Sequence, residues 1–262
     1  MVPIRDSNPR NTVPWVNYLL IALNFGVWFL ELSLMNTGAA WLTAGYGLVP
    51  TRITSDPFGE SFTIFTSMFM HGSWMHVGGN MLFLYIFGDN VEDAVGHLRY
   101  LLFYLVCGLG AALTQILVGP GSHVPMVGAS GAIAGVLGAY LVLYPRAPIT
   151  VINPIFPLWF LFGLLLEFPA WLVVGEWFAW NLLGGFGSIN AEQSGGVAFF
   201  AHIGGFIGGL LLVRPLMSGR RRKQAQRWQG WRLPPQQGRG PYGRPPPGTW
   251  PGGAGRGGGL PW

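Results

Sequence analysis

The sequence predicts an all-α, polytopic membrane protein with six transmembrane helices, and three observations carry that expectation. Half of the 262 residues are hydrophobic and 10% are charged, against roughly 25% charged residues in an ordinary soluble domain. The charges are segregated: long apolar windows are almost free of them, while Lys and Arg crowd the last fifth of the chain. Six windows can be placed against a hydrocarbon core of ~30 Å, and an even number puts both termini on one side.

Residues 1–14 form a polar segment holding Arg5 and Arg10. Trp15 to Leu34 is the first apolar run, too long for a signal-peptide core, and is read as a retained helix. Asn36 to Ser61 is a long connection carrying Arg52, Asp56 and Glu60. The second span runs from about Trp74 to Phe87 and is followed by a polar turn with Asp89, Glu92, Asp93 and Arg99. The third covers Tyr100 to Val118, and Gly119 to Val127 reads as an uncharged turn. The fourth covers Ser130 to Tyr144. Pro154, Pro157 and Pro169 interrupt the apolar stretch that follows, and the fifth helix is expected over Leu158 to Leu182, kinked near Pro169. Gly184 to Gly196 reads as a loop and Val197 to Val213 as the sixth span. The membrane domain is therefore 15–216. From 217 to 262 the chain is basic and rich in Pro, Gly and Trp, too poor in apolar side chains to offset the entropy of ordering it, and is expected to be a disordered tail.

Of the Lys and Arg residues, fourteen lie on the side of the termini and one, Arg52, on the other. The positive-inside rule then makes both termini cytoplasmic. The basic balance does not indicate nucleic acid, because most of it sits beside a membrane segment, where anionic lipid headgroups attract it. Cys107 is alone and reads as a small buried hydrophobe. Glu31, Glu167 and Glu176 read as membrane-interface positions. No metal or other cofactor is expected.

Polar side chains inside a membrane are costly and mark functional candidates. Four stand out: His76 and Asn80 in span two, Ser130 at the head of span four, and His202 in span six, with His71 just before span two. At ~1.5 Å per residue, Ser130 and His76 lie ~24 Å from the cytoplasmic boundary and His202 ~18 Å, so all three reach similar depths. His76 and Asn80, four apart, share a helix face. Ser130 at a helix start adds free backbone N–H groups. A serine within reach of a histidine, with hydrogen-bond donors alongside, is the minimal equipment for acyl transfer. Gly131 and Gly135 on span four, with Gly204, Gly205, Gly208 and Gly209 on span six, give spacings that let two helices approach closely. Each element also has a plain structural reading, as helix-packing residues or polar glue; it is their combination that points to chemistry.

With those residues in place, the sequence resembles the rhomboid intramembrane serine proteases. The resemblance rests on His71-x4-His76-x3-Asn80, on Gly128-Ala129-Ser130-Gly131, and on Ala201-His202-Ile203-Gly204-Gly205, with softer matches at Gly47-Leu48-Val49-Pro50 and from Gly88 to Glu92. It implies an intramembrane endopeptidase that cleaves transmembrane substrates, with Ser130 as nucleophile and His202 as base, a dyad without a carboxylate. His76, Asn80 and the Ser130 N–H would form the oxyanion hole. His71, Gly128, Gly131, Gly135 and Gly205 would support the site. Span five would act as the substrate gate. The expected location is the cytoplasmic (inner) membrane. Four residues after the serine, where family members often place an aromatic ring against the histidine, this chain has Ala134: either another ring supports His202 or its orientation is looser. The first loop also lacks a Trp-Arg pair found in some members, which leaves its anchoring open. The alternatives are a catalytically silent, rhomboid-like protein that holds membrane clients, and a solute or proton pathway built on the histidines.

Overall fold

The first helix starts where it does because another helix supplies its cap. In the computed structural model, which describes residues 1–35, 40–153, 163–188 and 198–217, α1 (Trp15–Met35) begins after a polar N-terminal segment. Its first-turn N–H groups have no intrahelical acceptor. The Glu92 carboxylate, itself fully buried, accepts from Val16 N–H at 3.1 Å and Asn17 N–H at 2.7 Å. Asp93 likewise accepts from the Thr12 N–H and hydroxyl and from Asn11. These acids therefore belong to a helix and not to the expected turn: α5 (Trp74–Val95) runs past Phe87.

Between α1 and α5 lie α2 (Ala40–Tyr46), α3 (Pro50–Ser55), α4 (Thr63–Thr66) and a 3-10 turn (Ser67–Phe69). The connection is thus partly helical. It is anchored without the Trp-Arg pair, by reciprocal backbone bonds between Leu48 and Met126 and by an ion pair between Arg52 and Glu60 at 2.5 Å. α6 (His97–Val118) and α7 (Ser130–Leu143) follow, close to the expected limits.

The next segment departs from expectation. β2 (Pro148–Ile152) and β3 (Leu165–Pro169) pair antiparallel, and β1 (Val2–Asp6) from the N-terminal segment adds to the other edge of β2, in the order β1-β2-β3. The fifth long helix, α8 (Ala170–Ser188), therefore starts at Ala170 and not at Leu158, and Pro169 ends a strand where a helix kink was expected. The β-branched run Ile149-Thr150-Val151-Ile152 favours this outcome. The helix also continues through Gly184 and Gly185. The remainder of the expected loop, residues 189–196, and the tail beyond Met217 lie outside the described residues. α9 (Phe199–Leu216) completes the fold.

Three of these helices, over Trp15–Leu34, His97–Val118 and Phe199–Leu216, are long and apolar enough to cross a membrane. They carry exposed Leu23, Leu30, Leu102, Leu117 and Leu211, a surface that water would penalise and lipid accepts. α7, shorter and nearly all buried, is the central post. It packs against α9 at glycines: an added Cβ on Gly205 would overlap the Gly131 carbonyl, and one on Gly209 the Gly135 carbonyl. Gly204 and Gly208 instead face α6, at Thr114 and Cys107. Cys107 is a buried free thiol, packed against Gly135.

The sheet end carries a titrating group. Asp6 Oδ2 accepts from the Tyr140 hydroxyl at 2.7 Å and from Asn90 Nδ2 at 2.8 Å. Burial above all pushes its carboxyl from the ordinary value of 3.8 up to about 7. Between those values the folded chain holds a proton that the unfolded chain releases, so this group's stabilising contribution is complete in acid and is lost as pH rises through about 7. Asp6→Asn, a neutral mimic, is expected to melt like wild type only below the ordinary carboxyl value of 3.8, to exceed it progressively as pH rises from there, and to melt several degrees higher at pH 8. A wild-type fall between those pH values in the variant would contradict the assignment.

Candidate active site

Ser73 caps α5, its Oγ accepting the His76 N–H at 3.1 Å. That start places His76 in the first turn and Asn80 one turn on, on the same face. Just ahead of the helix, the His71 N–H donates to Glu31 Oε2 at 3.1 Å. Glu31 is 7% exposed, so it is a buried tie between α1 and this loop. The His71 ring packs edge-on to His76, with centroids 5.0 Å apart. Its Nε2 lies 3.0 Å from Asn80 Nδ2. Burial, reinforced by His76, pushes the His71 imidazole down to about 4, so it is neutral and accepts from the Asn80 amide.

Gly72 N–H points at His76 Nδ1 at 3.4 Å. That leaves the proton on Nε2, free to donate to a further oxygen. Nε2 lies against Gly128: a Cβ there would come within 2.6 Å of it and 3.5 Å of Asn80 Nδ2. Gly128 also has φ of 120°, a region that side-chain-bearing residues rarely adopt. Its N–H donates to the Ser67 carbonyl at 2.8 Å. Glycine is thus required at position 128 for both reasons, and His76 and Asn80 border the peptide two residues before Ser130.

Ser130 is half-buried at the first position of α7, with no side-chain cap below it. Its Oγ lies 2.7 Å from His202 Nε2. His202, 8% exposed, comes from α9. Contact over 72 residues of sequence is possible because Gly131 and Gly135 meet Gly205 and Gly209 without side chains between them. Ala134 occupies one of these close-packed positions, fully buried. The ring beside His202 comes from α8 instead: Trp177, with centroids 5.5 Å apart and planes at 39°. On the same helix, Asn181 Oδ1 lies 2.5 Å from His202 Nδ1.

Neither Trp177 nor Asn181 was singled out from the sequence. The signal was present for Asn181, an amide inside an apolar run like Asn80, and Trp177 lies one helical turn before it. Ser130, His202, His76, Asn80 and Trp177 border one open cavity of about 640 Å³. Among the described residues, no three His, Cys, Asp or Glu side chains converge as a metal-ligand set.

Together the apolar helices and the serine–histidine contact between them define a membrane protein with a polar cavity among its helices. Residues 59–219, more than half the chain, match the Rhomboid domain. Over 210 residues the chain is 30% identical to the Rhomboid protease GluP of Bacillus subtilis, covering 79% of this chain and 36% of that one. It is 28% identical over 221 residues to Rhomboid protein 1, mitochondrial, of Saccharomyces cerevisiae, covering 78% and 53%. It is 34% identical over 177 residues to Rhomboid-like protease 5 of Toxoplasma gondii, covering 66% and 18%. The matched regions span about half or less of these relatives. The chain belongs to the rhomboid family.

Proposed function

We propose that the protein is an intramembrane serine endopeptidase cleaving transmembrane-segment substrates, embedded by six spans in the cytoplasmic membrane with both termini inside. The observation that supports this most is the 2.7 Å approach of Ser130 Oγ to His202 Nε2 within a cavity among apolar helices. Its relatives include proteins named as proteases.

In the proposed reaction Ser130 Oγ attacks the scissile carbonyl carbon as His202 Nε2 takes the hydroxyl proton. The carbonyl oxygen becomes an oxyanion, to which His76 Nε2–H, Asn80 Nδ2–H and the Ser130 N–H would donate. Preorganised donors gain most where charge develops in a site that excludes water. Collapse breaks the C–N bond as His202 returns the proton to the leaving amine. A water, deprotonated by His202, then hydrolyses the acyl-serine ester and restores the hydroxyl.

Cleavage of a model transmembrane substrate in detergent tests the reading. Ser130→Ala is expected to abolish it, while Asn80→Ala or His76→Ala should slow it by roughly 10²–10³-fold. Cleavage retained by Ser130→Ala would sink the serine-nucleophile mechanism. Client binding that survives Ser130→Ala, with no cleavage by wild type, would favour the silent binding protein.

A further inference from the structure

The hydrogen bonds of the Asn181 amide leave it one orientation. Its Nδ2 donates to the Trp177 carbonyl at 2.8 Å, and a carbonyl can only accept. The atom facing His202 Nδ1 at 2.5 Å is therefore the amide oxygen, which also only accepts. Two acceptors cannot share a hydrogen bond, so Nδ1 must carry the imidazole proton. Nε2 is then the lone-pair nitrogen, and it is the one placed 2.7 Å from Ser130 Oγ.

Resting on the protease reading, we infer that Asn181 is the positioning residue of the catalytic base: it completes a Ser130–His202–Asn181 relay by fixing the tautomer and ring plane of His202. Trp177, four residues earlier on the same face of α8, covers the ring from the side. Both supports thus come from one helix, whereas Ser130 and His202 come from α7 and α9. The contact that favours the reactive tautomer therefore depends on the docking of α8. The nearest carboxylate in sequence on α8, Glu176, is engaged elsewhere, with the Met1 ammonium and Trp180. Among the described residues, the titratable group that acts electrostatically on His202 is His76, which borders the same cavity. A neutral amide thus takes the place that an aspartate holds in a charged triad: it selects the tautomer without adding a charge to the apolar interior.

Steady-state cleavage over a range of pH and the rate of fluorophosphonate labelling test the inference in the full chain. Asn181→Ala is expected to lower kcat and the labelling rate by at least roughly 10–100-fold, the loss seen when the partner orienting a metal-bound histidine is removed, with KM little changed. Asn181→Asp is expected to retain activity and to move the acid limb of the kcat profile to higher pH, because a carboxylate favours the protonated imidazole, which cannot act as base. A purely structural role for Asn181 would not move that limb. Activity that depends on Ser130 but has the same kcat, labelling rate and pH profile in wild type, Asn181→Ala and Asn181→Asp would overturn this inference alone. Activity that persists in Ser130→Ala would overturn the dyad, and the relay with it.

Discussion

Gly205→Ala is expected to lower the melting temperature in detergent by on the order of 10 °C, whereas Gly208→Ala, three residues on, should change it little. The two positions differ in what a single methyl group would meet. At Gly205 it overlaps the Gly131 carbonyl oxygen and lies 2.9 Å from its carbon. These are backbone atoms of a helix and cannot rotate aside. At Gly208 the nearest atoms are Cys107 Sγ at 3.7 Å and Cα at 3.9 Å, which is ordinary contact. Overpacking commonly costs ~1–3 kcal/mol, occasionally more; an obstruction by backbone belongs at the upper end, and each kcal/mol moves Tm by about 2–4 °C in a protein of this size. Separating α7 from α9 also pulls Ser130 from His202, so the residual folded protein should be slow. Equal melting of Gly205→Ala and wild type would contradict the proposed packing.

Ser130→Ala and His202→Ala are each expected to lower cleavage by roughly 10⁴–10⁶-fold, and the double variant should lose almost nothing more. The reason is that the proton and the nucleophile belong to one event. Without His202 the hydroxyl at 2.7 Å has no acceptor for its proton, and without Ser130 the imidazole has nothing to activate. Losses that multiplied in the double variant would mean that the two residues act separately.

Much of this arrangement was legible in the sequence, for physical reasons that differ by element. α1, α6, α7 and α9 could be placed because long uncharged runs leave few alternatives in a chain this apolar. Ser130 and His202 could be singled out because polar groups in such runs are expensive, and the glycine spacings said which helices could come close. The sheet was missed because its strands borrow from three regions. β1 lies in a short polar stretch with no alternation to betray it, and β2 and β3 sit in an apolar, proline-broken segment whose periodicity does not separate strand from helix. The length of α5 was misjudged because Asp89, Glu92 and Asp93 look like a solvated turn. Glu92 and Asp93 are capping groups for α1 and its approach, which becomes visible only when the N-terminal segment is folded against them. Ala134 left the support of His202 open. Trp177 and Asn181 supply it from a helix whose start was set twelve residues too early.

The central claim, that Ser130 is a nucleophile activated by His202, is tested most directly by mapping the covalent adduct of a serine-directed fluorophosphonate on the folded chain in detergent. The account predicts phosphonylation at Ser130, absent in Ser130→Ala and strongly slowed in His202→Ala. An adduct that forms on another residue, or labelling that persists unchanged in Ser130→Ala, would contradict it.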